Sequence, residues 1–97
     1  MFDFENVLAE YSETNYSIGV GTATDGMEIF LEALGINPGD EIIISSHTML
    51  ATASAIKVDG GIPIPVDIKD DDNLISISAI EDAISENTVG IMPTQLN

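Results

Sequence analysis

Phe4, Val7, Leu8 and Tyr11 recur at the i, i+3, i+4, i+7 spacing of one helix face, so the chain opens on a helix. Asn15-Tyr16 breaks that pattern, and Ser17-Ile18-Gly19-Val20-Gly21 reads as a short strand ending in glycine. Thr24 is placed as the N-cap of a second helix, with Asp25 in the first turn, where negative charge suits the helix dipole. Met27, Phe30, Leu31 and Leu34 continue as its buried stripe, and Gly35 sits where a C-cap glycine belongs.

Asn37-Pro38-Gly39-Asp40 is a strong turn signal, and Glu41-Ile42-Ile43-Ile44-Ser45 follows it. Three consecutive isoleucines suit a strand covered on both faces, as in a parallel sheet. Residues 46–59 read as a helix rich in small side chains (Ala51, Ala53, Ser54, Ala55), which lets it lie close to a sheet. After Gly60-Gly61, residues 62–68 form the next strand, and Pro63 and Pro65 assign it to an edge. Ser78-Ala79-Ile80-Glu81 has the form of a capping box for a last helix with Ile80, Ala83 and Ile84 on its apolar face. Val89-Gly90-Ile91-Met92 is the fourth strand.

Helix and strand therefore alternate. Crossovers of this length imply an α/β fold in three layers: a mostly parallel sheet with helices on both faces. In such sheets ligands gather at the edge formed by the C-terminal ends of the strands. The 97 residues suffice for a single domain over 1–97.

Charge narrows the partners. Seventeen acidic residues face Lys57 and Lys69 alone, a formal net charge of −15. That surface repels nucleic acid and anionic membranes. No run of about 18 apolar residues is present to span a bilayer. The opening Met1-Phe2-Asp3-Phe4-Glu5 is acidic, unlike a secretory leader, so a cytoplasmic protein is expected. The absence of cysteine excludes thiolate catalysis and zinc–sulfur sites. Asp70-Asp71-Asp72 before Asn73 reads as a surface turn, since a calcium loop needs ligands at alternate positions and a turn glycine.

The stretch that carries chemistry is Gly19-Val20-Gly21-Thr22-Ala23-Thr24-Asp25-Gly26, which joins a strand to a helix N-terminus. Free backbone N–H groups and the helix dipole make such a corner an anion site, and Thr22 and Thr24 add hydroxyl donors. A glycine-containing turn with an ordinary threonine cap is the alternative. A dinucleotide fingerprint is excluded because Gly26 comes too late and the second strand ends in Ser45-Ser46, not an acid. A P-loop is excluded for want of Gly-Lys-Ser/Thr. A second stretch, Ser45-Ser46-His47-Thr48-Met49-Leu50-Ala51-Thr52, also leaves a strand and opens a helix, and belongs at the same sheet edge. His47 alone is weak evidence for catalysis, and Met49 alone is ordinary core filler.

Five segments together resemble the DegT–DnrJ–StrS family of sugar aminotransferases. Residues 19–26 resemble its "GVGSGTDAL", and residues 34–43 its "LGIGPGDEVI". Residues 46–53 resemble "SHTFIATA", residues 60–68 "GATPVFVDI", and residues 88–96 "TKAIIPVHL". The match runs in order from Phe4 to Asn97. The resemblance implies the N-terminal part of the large domain of a fold-type-I enzyme that uses pyridoxal 5'-phosphate (PLP). It implies transfer of an amino group, usually from glutamate, to a keto sugar attached to a nucleotide.

Carried over to this chain, the resemblance assigns cofactor binding to Thr22, Thr24 and Asp25 at the phosphate. It assigns Met49 to the pyridine face, where the family usually stacks an aromatic ring. It also implies that the Schiff-base lysine and the aspartate paired with the pyridine nitrogen lie beyond residue 97, so that these residues alone are inactive. The family's sheet puts the strand at 41–45 between those at 62–68 and 89–92, and leaves the strand at 17–21 without neighbours. Self-association as a homo-oligomer, or a rearranged placement of residues 1–21, is then expected. A free-standing phosphate-binding module and an acidic interaction module are the alternative functions.

Overall fold

A computed structural model describes residues 2–96. Met1, at the head of the acidic N-terminus, and Asn97, where the family resemblance ends, lie outside the described residues. Seven elements follow in chain order. They are α1 (Phe2–Tyr11), α2 (Ala23–Leu34), β1 (Glu41–Ser45), α3 (Leu50–Val58), β2 (Ile62–Val66), α4 (Ile77–Ala83) and β3 (Thr88–Met92). The strands form one sheet in the order β2-β1-β3. Both pairings are parallel, running from Glu41↔Ile62 to Ser45↔Val66 on one side and to Ile44↔Met92 on the other. The second ladder shifts register between Glu41 and Ile42, where β3 passes from Thr88 to Gly90.

β1 is central, as the family's sheet order implies, and covered on both faces, as its isoleucine run suggests. Ile42 and Ile44 point to one face and pack with Leu31 of α2 and Ala55 and Ile56 of α3. Ile43 points to the other and packs with Val66 and Ile80 of α4. Successive strand residues face opposite ways, so one run of three isoleucines builds both halves of the core. The three layers expected from sequence are present. Ala55 is fully buried, and α3 approaches the sheet through it.

β2 is an edge strand for a reason visible in its hydrogen bonds. Ile62 N–H donates to Asp40 O at 2.7 Å, and Val66 O accepts from Ser46 N–H at 2.9 Å. These residues therefore turn their backbone toward β1. Pro63 and Pro65, one residue out of phase, turn theirs toward the open side, where a missing N–H costs no ladder bond and blunts the edge.

β2 ends at Val66, not 68, and β3 begins at Thr88, not 89; four further differences from the sequence expectation have a visible cause. The strand expected at 17–21 is absent, because none of the three strands pairs with it and Gly19 and Gly21 give it little intrinsic preference for a ladder. Its Gly19 N–H donates instead to Glu5 Oε1 at 2.6 Å, tying the segment back to α1. The cap of α2 is Thr22, not Thr24: its hydroxyl accepts from Asp25 N–H at 3.1 Å. α3 begins at Leu50, not 46, because Ser46 N–H is still engaged in the ladder with β2. α4 is capped by Ser76, not Ser78. An antiparallel bridge between Ile68 and Ile75 ends there, Ser76 N–H donates to Asp67 O, and its hydroxyl accepts from Ala79 N–H at 3.3 Å.

Gly35 does end α2. It adopts φ 75°, a left-handed conformation that costs a residue with Cβ, and its N–H reaches Glu32 O and Leu31 O.

Candidate functional site

The C-terminal ends of parallel strands converge on a cavity of about 630 Å³. Its walls are the tip of α2 (Ala23, Thr24), the loop before α3 (His47, Thr48, Met49) and the segment after β3 (Pro93, Thr94). This volume falls within the roughly 300–1,000 Å³ common for small-molecule sites. The lining is mostly apolar and contains no lysine or arginine among the described residues.

The α2 tip is built from one threonine cap and free backbone amides, with no cation. Thr22 has extended backbone (φ −144°, ψ 165°) and directs its hydroxyl to Asp25 N–H. Its carbonyl accepts from Gly26 N–H at 3.0 Å, which starts the helix. The first-turn amides of Ala23 and Thr24 have no partner within the helix, and both residues line the cavity. The positive end of the helix dipole thus meets the cavity wall.

The residues singled out from sequence divide here. Thr24 and Met49 both line the cavity, and Met49 is 77% exposed. Thr22 and Asp25 lie outside the lining. Thr22 spends its hydroxyl on the cap, and Asp25 leans over Gly21, where an added Cβ would stand 2.8 Å from Asp25 Oδ2. His47 lines the cavity and is exposed to solvent.

The hydroxyls of the second stretch meet one from Thr94 that the sequence did not mark. Thr48 Oγ1 lies 2.9 Å from Thr52 Oγ1 and 2.8 Å from Thr94 Oγ1, and Thr94 N–H donates to Ser45 Oγ at 3.4 Å. Ser45 is 1% and Thr52 7% exposed. The i, i+4 threonines at 48 and 52 were a visible signal. Thr94, 46 residues away, had none.

Neither lysine serves this cavity. Lys57 lies in the last turn of α3, at the end remote from the site. Lys69 lies outside the lining and is paired with Asp72, whose hydrogen bond raises the lysine pKa. The same bond, with a second from Leu74 N–H, holds the Asp72 carboxyl below the usual carboxylate range. Among the described residues no group of three or more His, Cys, Asp and Glu side chains is placed to hold a metal ion. None of their helices is long and apolar enough to cross a membrane.

The fold is thus a parallel α/β sheet whose strand ends and helix tips line a mostly apolar cavity, with no lysine or arginine in that lining among the described residues. The model of the DegT/DnrJ/EryC1/StrS aminotransferase family matches residues 1–97, and the chain belongs to that family. It is 37% identical over 93 residues to dTDP-3-amino-3,4,6-trideoxy-alpha-D-glucose transaminase of Streptomyces venezuelae, covering 96% of this chain and 24% of that one. The crystal structure of NtdA from Bacillus subtilis with bound cofactor PMP is similar at a TM-score of 0.89 and 42% identity, over 94% of this chain and 21% of that one. An aminotransferase from Psychrobacter cryohalolentis is similar at a TM-score of 0.92 and 30% identity, over 97% of this chain and 24% of that one. The chain spans about a quarter of the length of the curated relatives it matches.

Proposed function

We propose that residues 1–97 form the N-terminal part of the PLP-binding large domain of a cytoplasmic aminotransferase acting on nucleotide-linked keto sugars. The observation that carries this reading is the α2 tip: two unpartnered first-turn amides at the wall of an apolar cavity, in a chain of an aminotransferase family. The residues present fit PLP. Amides of Ala23 and Thr24 and the Thr24 hydroxyl would hold the phosphate, a recognition that suits a chain with almost no cations. Thr22 and Asp25 act one step back, setting the helix tip through the cap between them. Met49 would cover a ring face with its polarizable thioether.

When bound, PLP supplies electron withdrawal from the carbon undergoing amino transfer. The chain's own part is to bind the phosphate, orient the ring and keep water from one side of it. Neither Lys57 nor Lys69 is the Schiff-base lysine in this reading, so these residues alone do not turn over.

Calorimetric titration with PLP, and with pyridoxal as the phosphate-free comparison, tests this. Binding that needs the phosphate is expected, with no adduct at either lysine after borohydride reduction. Equal binding of pyridoxal, or an adduct at Lys57 or Lys69, would contradict it. Absence of any binding would leave an acidic interaction module as the better account.

The protein also self-associates in this reading. β3 has no proline on its open edge, Val89 and Ile91 are half exposed, and such an edge is a template for another chain. Sedimentation velocity should show a species larger than one chain, and a monomer at micromolar concentration would sink the idea.

A further inference from the structure

We propose that Thr48, Thr52 and Thr94 form a hydroxyl latch that positions the wall of the edge cavity. The inference takes the cavity's role from the reading above. The latch itself is defined by geometry and can be tested without ligand.

The segment after β3 needs such a device. Among the described residues, no backbone-to-backbone hydrogen bond reaches residues 93–96, although Pro93, Thr94 and Leu96 line the cavity. Its attachments are side-chain hydroxyls. Thr94 Oγ1 meets Thr48 Oγ1 at 2.8 Å, and Thr94 N–H donates to Ser45 Oγ at 3.4 Å. Thr48 Oγ1 in turn meets Thr52 Oγ1 at 2.9 Å in the first turn of α3. The end of β1, the start of α3 and the exit of β3 are thereby joined at one point.

The loop benefits as much as the segment. α3 has Met49 at its N-cap, which provides no side-chain acceptor. Threonine at 48 supplies the tether that the cap does not, and it sits next to the residue proposed to cover the ring.

Proton counting gives the latch a link to an occupant. Three hydroxyls carry three protons, and the two bonds among them use two. Thr48 has one proton and can donate to only one neighbour, so every arrangement leaves one O–H uncommitted. All three residues line the cavity, so that O–H is available to an acceptor atom of a bound molecule. These are positioning residues: they hold the wall that carries Met49 and place one donor on it.

The test uses Thr48→Val, which keeps shape and removes the hydroxyl, and Thr48→Ser, which keeps the hydroxyl. Amide hydrogen exchange is measured without ligand, with circular dichroism to establish folding. Thr48→Val should speed exchange of the Thr94 amide by about tenfold or more, the scale of losing two hydroxyl bonds, while β1 amides are unchanged. Thr48→Ser should restore protection. If valine leaves Thr94 exchange unaltered, or serine is as loose as valine, the latch is wrong. Should Thr48→Val fail to fold, Thr94→Val, which lies beyond the last strand, is read in the same way against Thr94→Ser.

A second arm compares PLP affinity of the same variants. Thr48→Val should weaken it by about fivefold and Thr48→Ser should recover it, since a lost charge-free hydrogen bond is of that scale. Equal affinity in all three would remove the link to the ligand. If the unaltered chain does not bind PLP, the cofactor reading fails while the exchange experiment still decides the latch.

Discussion

Helix α1 and strand β1 carry apolar side chains at similar density, yet Ile43 is fully buried while Phe2 and Tyr11 are 82% and 86% exposed. The difference lies in what the rest of the chain brings to them. β1 receives α2 and α3 on one face and α4 on the other, together with a strand on each side. The stripe of α1, Phe4, Val7, Leu8 and Tyr11, stays exposed, and the helix is tied down through Glu5 and Gly19. Hydrophobic periodicity therefore reports which face of an element wants cover. It does not report whether these residues provide the cover.

That contrast predicts a ladder of effects. Ile43→Ala removes side-chain atoms at the centre of the sheet and should cost about 3 kcal/mol in denaturant unfolding, a large fraction of a small domain's total stability. Thr22→Ala removes the cap of α2 and should cost about 1 kcal/mol, read as faster amide exchange confined to the first turn of that helix. Phe4→Ser, on the uncovered stripe, should change stability by less than about 0.5 kcal/mol. If Phe4→Ser proved as damaging as Ile43→Ala, α1 would be part of the packed core and the contrast would fail.

What was legible in the sequence follows the same division. The three isoleucines marked β1 as covered on both faces, the prolines placed β2 at an edge, and Gly35 ended α2, because each rests on chemistry local to those residues; the middle position of β1 came from the family resemblance. The strand at 17–21 was misjudged because a strand is made by its partner, and alternation in five residues cannot supply one. The caps at Thr22 and Ser76 were each placed two residues late. Neighbouring Thr and Ser residues compete for the cap, and the Ile68–Ile75 bridge that decides for Ser76 is a tertiary contact.

The site shows both behaviours. The glycine-rich approach to α2 marked the helix tip, and family resemblance marked Met49. The cap between Thr22 and Asp25 is local, three residues apart, whereas the meeting of Thr48 with Thr94 across 46 residues depends on the parallel topology that brings strand exits together.

The central claim is that the amides at the start of α2 receive a cofactor's phosphate. Amide chemical-shift mapping on ¹⁵N-labelled protein during titration with PLP measures this directly. The account predicts the largest shifts at Ala23 and Thr24, followed by Thr48, Met49 and Thr94, with α4 silent. Shifts that bypass Ala23 and Thr24 while the protein saturates with PLP would contradict it.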